Sequence, residues 1–600
     1  MCGITAYCGN GFALPFLMQG LSKLEYRGYD SAGVTTLEKD GLKTVKCKGR
    51  LKNLEEKLQD FKMEGHVGIG HTRWATHGIP SNLNSHPHTN DDETISLVHN
   101  GIIENYRELK EELIQKGYHF QSETDSEVVV HLLDDYYDGD LFEAVKKVLK
   151  RIEGSYALCI VSTLEPNKVI VAKKDSPLII GKADGAYVAA SDIPALLEYT
   201  KDVYFLADYE MAILQEDHID FFTHEGEPIV KELVNVPYDL EAAKKDGYDT
   251  FMLKEIYEQP HVIAETLRGR IVNQKIVLDE LNDIDFHQFN KVYFVACGTA
   301  YHASLCGSQV LERATKLPVI ATVASEFRYN DPLVDEQTLA IFVSQSGETA
   351  DTLAALRLAK EKGATTIAIA NVLGSTISRD ANYVLYTCAG PEIAVASTKA
   401  YTTQLILLIL LAYYIAQELG KEIDHELIQQ LNTIPQYVEN ILKDHSIFEN
   451  YAKMLENLHD AYFIGRSLDY ASVLEGALKL KEVSYVHADA YVAGELKHGP
   501  IALIEDGSVV IAVATQPHIA AKTISNIQET MARGARVILL TTHGEEVKNV
   551  ENTYYLPDVV PTLQAILVAI PLQLIAYYTA CIKGCDVDKP RNLAKSVTVE

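Results

Sequence analysis

Val292-Tyr-Phe-Val-Ala-Cys-Gly298 is an apolar run that stops at a glycine, and Ala461-Tyr-Phe-Ile-Gly465 repeats its pattern about 168 residues later. The same offset sets Ala340-Ile-Phe-Val343 beside Val509-Val-Ile-Ala-Val513. Continuous apolar runs of this length, bounded by turn residues, read as strands covered on both faces. With a further run at residues 366–370 and helical segments between the runs, the rhythm is that of a doubly wound parallel sheet. Two tandem α/β copies follow, at 250–430 and 431–600.

The copies differ after their second matched strand. The first continues as Ser344-Gln-Ser-Gly-Glu-Thr349, the second as Ala514-Thr-Gln-Pro517. In parallel α/β sheets ligands bind beyond the carboxyl ends of strands, and a helix N-terminus attracts anions. The hydroxyls of Ser344, Ser346 and Thr349, the Gln345 amide and the N–H groups around Gly347 form a neutral phosphate cradle. Thr299 and Ser397 are placed to close it. Helix capping by Ser346 or Thr349 is the plainer alternative, but it accounts for one hydroxyl of three. The GxxxxGK[ST] order is missing, which excludes a nucleotide-hydrolysing P-loop.

The region before this repeat has a different texture. Residues 68–71, 95–99 and 156–161 read as strands, and 109–116 and 127–136 as helices, giving a layered α+β domain over 2–240. A polar stretch around Lys244-Lys-Asp-Gly247 marks a linker at 241–249.

Lysine and arginine number 54 against 83 aspartates and glutamates, a net charge of −29 with no basic tract. That balance argues against nucleic acid or an anionic membrane as partner. Nine scattered cysteines without a paired framework, and no secretory signal, suit a reduced cytoplasmic setting. His66, His71, His77, His86 and His88 lack a regular ligand spacing, so no metal is expected, and no cofactor. The apolar run 405–416 is too short to span a bilayer. The run 563–582 is interrupted by Gln564, Pro571 and Gln573, so both read as buried helices.

Three further stretches carry chemistry. Cys2 becomes the first residue once Met1 is trimmed, joining a thiol to an α-amine that titrates near pH 7.7–8.0 and can accept the thiol proton. His71-Thr-Arg-Trp-Ala-Thr-His77 supplies Arg73, which can clamp a carboxylate, beside the only tryptophan, Trp74. Asn100-Gly101 offers an oxyanion hole or an ordinary tight turn. In the second copy Glu475, Lys479 and Glu482 share one helix face, a spacing that usually decorates a solvated surface. His498 precedes a Gly-Pro turn.

Taken together, Met1-Cys-Gly-Ile4, Glu25-Tyr-Arg-Gly-Tyr-Asp-Ser-Ala-Gly33, His71 to Gly78 and His99-Asn-Gly101 resemble the class II glutamine amidotransferase family, and the tandem copies resemble sugar isomerase (SIS) domains. The resemblance runs end to end and includes the tail Asn592-Leu-Ala-Lys-Ser-Val-Thr-Val-Glu600. It implies an N-terminal-nucleophile glutaminase that passes ammonia to fructose 6-phosphate, isomerises the product to glucosamine 6-phosphate, and works as a homodimer. It implies Cys2 as nucleophile and Asn100 and Gly101 as oxyanion holders. Arg73, Thr76, His77 and Asp125 would bind glutamine, and Trp74 would gate an ammonia channel. Lys595 would form a Schiff base, His498 would open the ring, Glu482 would move the proton, and Glu475 and Lys479 would support them.

One departure stands out. The family commonly has serine where this chain has Ala300, which removes a hydroxyl near the phosphate. The first domain lacks the long insertion of eukaryotic relatives, which suggests a bacterial-type form. Two alternatives remain open at this stage: a synthase for another amino sugar, and a sugar-phosphate sensor without turnover.

Overall fold

Gly3–Gly9 lies inside an eight-stranded antiparallel sheet, paired on one side with Val67–Arg73 and on the other with Ala186–Ala190. Its alternate residues face opposite layers, as the two-residue period of a strand requires. Ile4, Ala6 and Cys8 meet Val98, Ala157 and Val171 from a second, seven-stranded antiparallel sheet. Tyr7 faces the helix Ala13–Leu24 instead. On the far side of the second sheet, Val128, Leu132, Ala144 and Val148 from the helices Glu127–Tyr136 and Leu141–Leu149 pack against Leu97 and Leu158. The order is helix, sheet, sheet, helix. Each fully buried leucine or valine here contributes roughly 1.5–3 kcal/mol relative to exposure.

The computed structural model describes residues 2–236, 245–542 and 550–598. It divides into two units, Met1–Lys244 with Ala594–Glu600, and Lys245–Leu593. Residues 241–244 of the expected linker lie outside the described residues, as do the last two residues of the tail. Residues 245–249 lead into the helix Phe251–Tyr257. The tail from Ala594 groups with the first unit.

The second unit holds two five-stranded parallel sheets. In the first, the strands run Val319–Val323, Lys291–Ala296, Thr338–Ser344, Thr365–Ala370 and Tyr383–Tyr386. In the second they run His487–Val492, Asp460–Gly465, Val509–Ala514, Arg536–Thr541 and Asn552–Tyr555. Both follow the order 2-1-3-4-5, so the repeat read from the sequence is a repeat of fold. In this order the crevice for a ligand opens between the first and third strands, where the connections diverge. The two copies share one apolar core reaching from Met252 to Val587.

The two apolar runs are core helices. Lys399–Glu418 and Pro561–Ile582 are long and apolar enough to cross a membrane, and 89% and 83% of their apolar windows are buried within the protein. The run 405–416 alone is too short to span, but Thr402, Thr403 and Gln404 extend it into a 20-residue helix with their own side chains buried. Elsewhere the elements exceed their apolar cores: the helix expected at 109–116 runs Tyr106–Gln115, and the strand expected at 95–99 runs Ile95–Ile103. The helix at 127–136 has its expected bounds.

Candidate active sites

The first site gathers around Cys2. Its Sγ accepts the Trp74 N–H at 3.3 Å, and its carbonyl accepts Asn100 Nδ2 at 3.0 Å and Arg27 Nε at 3.3 Å. Burial pushes the thiol pKa up, against the amino-terminal charge, the Trp74 hydrogen bond and Arg73, which pull it down. A thiol so placed needs a base to become a nucleophile.

Arg73 ends the strand Val67–Arg73 and is 3% exposed. Its Nη2 donates to the carbonyls of His77 and of Gly78, the latter at 3.1 Å, while Nη1 is buried without a hydrogen-bond partner among the described residues. A buried guanidinium with a spare donor is costly unless a ligand completes it. Asp125 is held by the Ile103 N–H at 2.8 Å and lies 3.9 Å from His77 Nδ1. Trp74 meets Tyr29 edge-on with centroids 6.0 Å apart. Thr76 is exposed on the same loop.

Asn100 is more engaged than the sequence suggests. Its Nδ2 donates to Ser191 Oγ at 2.9 Å as well as to Cys2, which uses both amide hydrogens. His71 Nε2 sits 3.1 Å from Asn100 Oδ1 and 3.0 Å from the His99 carbonyl. Both partners accept, so Nε2 carries the hydrogen. Burial lowers the His71 pKa to about 3, which keeps the ring neutral. Gly101 has φ +128°, and a Cβ there would stand 2.0 Å from the Ser155 carbonyl oxygen, so only glycine fits. His71 and Ser191 have no local signal of their role. They meet Asn100 through sheet pairing.

The second site lies at the crevice of the first sheet copy. Ser344 Oγ accepts the Gly347 N–H at 3.1 Å and lies 3.1 Å from Thr349 Oγ1. Ser346 Oγ accepts the Glu348 N–H at 3.2 Å, and the Gln345 carbonyl accepts the Asn371 N–H at 3.1 Å. Thr349 heads the helix Ala350–Glu361 without a side-chain cap bond. Simple capping therefore does not account for these hydroxyls. The Glu348 carboxylate pins the loop to Thr376, accepting its N–H at 2.7 Å and its hydroxyl at 2.8 Å. Ser397 is half-buried just before Thr398, whose Oγ1 is buried without a hydrogen-bond partner among the described residues.

Facing that loop's copy stands the triplet on the helix Leu468–Ser484. Glu475 and Lys479 are buried, so the solvated-surface reading of their spacing fails. Lys479 Nζ lies 3.4 Å from Glu475 Oε1 and 2.5 Å from Glu482 Oε2. Burial alone would lower the lysine pKa, but Glu482 and Glu475 outweigh it and hold the ammonium charged. Thr299 donates to Glu475 at 3.0 Å and accepts from Lys479 at 3.1 Å, so its hydroxyl hydrogen is spent within the protein. His302, three residues along the same helix, bonds the other Glu475 oxygen at 2.8 Å. The sequence reading missed His302, though its i+3 spacing from Thr299 was available. His498 is exposed, and no contact between it and this triplet is described. Lys595 is half-exposed in the tail that groups with the first unit.

A two-sheet domain with Cys2 and a buried Arg73 at the same end of two paired strands, followed by tandem parallel sheets of order 2-1-3-4-5, has the architecture of a glutamine amidotransferase domain joined to paired SIS domains. Family models agree: a glutamine amidotransferase domain matches residues 71–198, and a SIS domain matches 285–414 and 454–583. The chain belongs to the glutamine–fructose-6-phosphate aminotransferase (isomerizing) family. It is 55% identical to the protein of that name from Clostridium tetani and 53% identical to that from Caldanaerobacter subterraneus, each alignment covering all of both chains. The C-terminal domain of glucosamine-fructose-6-phosphate aminotransferase from Francisella tularensis superposes with a TM-score of 0.56 at 37% identity, covering 57% of this chain and 99% of that one.

Proposed function

We infer that this chain is a glutamine-dependent fructose-6-phosphate aminotransferase that makes glucosamine 6-phosphate and glutamate. Residues 2–240 act as the glutaminase, and 250–430 and 431–600 as the two SIS domains. Cys2 attacks the glutamine side-chain carbonyl, its thiol proton passing to the α-amine freed by loss of Met1. Ammonia leaves, and water hydrolyses the thioester to glutamate. Arg73 pairs with the substrate carboxylate, Asp125 with its ammonium group, and Thr76 and His77 close the pocket. Gly101 and Asn100 hold the oxyanion, which requires Asn100 to give up one of its present partners.

Ammonia released into water would be protonated and lost as a nucleophile, so it passes through an enclosed route gated by Trp74. At the other end the loop Ser344–Thr349 and Ser397 hold the sugar phosphate. Thr299 serves that site through its N–H and by ordering Glu475 and Lys479. His498 opens the ring, and Lys595 forms a Schiff base at C2. Ammonia displaces the lysine, and Glu482 carries a proton from C1 to C2, turning the ketose imine into the amino aldose. Family resemblance and the exposed position of His498 support a cytoplasmic homodimer through the SIS domains, in which His498 serves its partner's site.

The observation that carries this reading is the Arg73 guanidinium, buried beside Cys2 with Nη1 unpartnered among the described residues. Incubation with glutamine and fructose 6-phosphate should yield glutamate and amino sugar in equal amounts. Glutamate without amino sugar would contradict it.

A further inference from the structure

The crevice of the second sheet copy is not empty. Tyr293 and Tyr462 are matched at an offset of 169, and they pair with Ala340 and Val510, so the next strand is offset by 170. Asp469 therefore stands where the first copy has Ala300, and Thr515 and Gln516 stand where it has Gln345 and Ser346. The backbone φ agrees at the matched position, +54° at Gly298 and +58° at its counterpart Ser467. A serine at positive φ is strained, and Ser467 is held there by Gln309 at 3.0 Å and Arg313 at 2.5 Å.

Asp469 is 2% exposed and reaches from the first turn of its helix into the loop after the third strand. Oδ2 accepts the Thr515 N–H at 2.8 Å and Oδ1 accepts the Thr515 hydroxyl, while the Gln516 side chain donates to Thr515 Oγ1 at 3.3 Å and to the Pro561 carbonyl at 3.1 Å. Gly465 makes the approach possible, since a Cβ there would stand 2.7 Å from the Asp469 backbone, whereas the first copy has Ala296 at that place. Burial raises the Asp469 pKa to about 6, against the pull of the Thr515 bonds, so the group is a carboxylate at neutral pH.

We propose that the loop Thr515-Gln516 is a second anion cradle, of the phosphate-monoester class, occupied by the chain's own Asp469 carboxylate. Among the positions at which the copies differ, the one that decides occupancy is Ala300 in the first copy and Asp469 in the second. Alanine leaves the first cradle open to substrate, and aspartate fills the second. The Thr515 N–H and hydroxyl are the donors of a site whose ligand is covalently attached.

The test is to remove the internal anion from the full chain. Asp469→Ala should bind one more inorganic phosphate per chain than the wild type in equilibrium dialysis. Formate at constant ionic strength should raise its unfolding temperature by several degrees more than it raises that of the wild type. Asp469→Ser, which keeps a hydroxyl within reach of Thr515, should behave likewise with a smaller shift. If neither variant folds unless formate or phosphate is present during refolding, that dependence is the same rescue. An unchanged phosphate count with no formate effect, or failure to fold in either anion, overturns the proposal.

Discussion

Thr299 and Glu475 are 176 residues apart and 3.0 Å from each other, and their hydrogen bond joins the first sheet copy to the second. The same hydroxyl accepts from Lys479, so one threonine orders both members of a buried ion pair. Thr299→Val keeps the volume and removes both bonds. Leaving buried groups unmet costs about 1–3 kcal/mol each. Amino-sugar formation should fall at least 100-fold while glutamine hydrolysis continues, and Thr299→Ser should recover most of the loss. A valine variant with wild-type synthesis would show that Thr299 orders nothing that matters.

Gly347 shapes the loop proposed to hold the sugar phosphate. Its φ is +68°, and a Cβ would meet Ser375 Oγ at 2.2 Å. Gly347→Ala must therefore displace the loop or the helix Thr376–Asp380, at a cost on the order of 1–3 kcal/mol. Titration with fructose 6-phosphate should show about 10- to 100-fold weaker binding. Glutamine hydrolysis should be unaffected.

Arg73→Lys replaces a fork by a point charge that cannot hold the His77 and Gly78 carbonyls and a carboxylate together. Loss of a charge-assisted hydrogen bond of about 1.5–3 kcal/mol corresponds to a KM for glutamine raised roughly 10- to 150-fold. Steady-state kinetics with glutamine decide this. Supplied ammonia should remain a usable nitrogen source.

The glutaminase unit should be acid-labile. His86 packs between His71 and His88 with ring centroids 4.2 and 4.4 Å away, tilted on the first and edge-on to the second, and neither of its ring nitrogens has a hydrogen-bond partner among the described residues. Burial lowers the pKa of all three, that of His71 to about 3. A base with a depressed folded pKa contributes stability that is present above its unfolded value near 6.5 and lost as pH falls toward the folded value. Unfolding free energy should therefore drop between pH 6.5 and 3. His86→Leu loses no hydrogen bond, and should move the acid midpoint of this unit down by about half a pH unit or more. A midpoint that rises or stays put would rule out a neutral buried His86.

The parallel sheets were legible because strands buried on both faces are apolar along their covered length, as in Lys291–Ala296 and Asp460–Gly465 after their charged first residues. The position of the loop Ser344–Thr349 was legible, since the apolar strand before it ends at Ser344 and the helix after it starts at Ala350. The Glu475 triplet was not, since a local spacing is the same whether the face meets water or a second helix. Here it meets Gly298–Thr315, and that packing depends on residues more than 150 positions away. Asp469 escaped for the same reason: one aspartate at a helix start reads as a favourable dipole contact. Its function appears only when the two copies are laid over each other.

The central claim is that nitrogen cut from glutamine at Cys2 reaches the ketose without mixing with solvent. Amide-15N glutamine and fructose 6-phosphate, supplied with a large excess of unlabelled ammonium, should give glucosamine 6-phosphate carrying almost only 15N. Product labelled in proportion to the bulk ammonium pool would contradict the account.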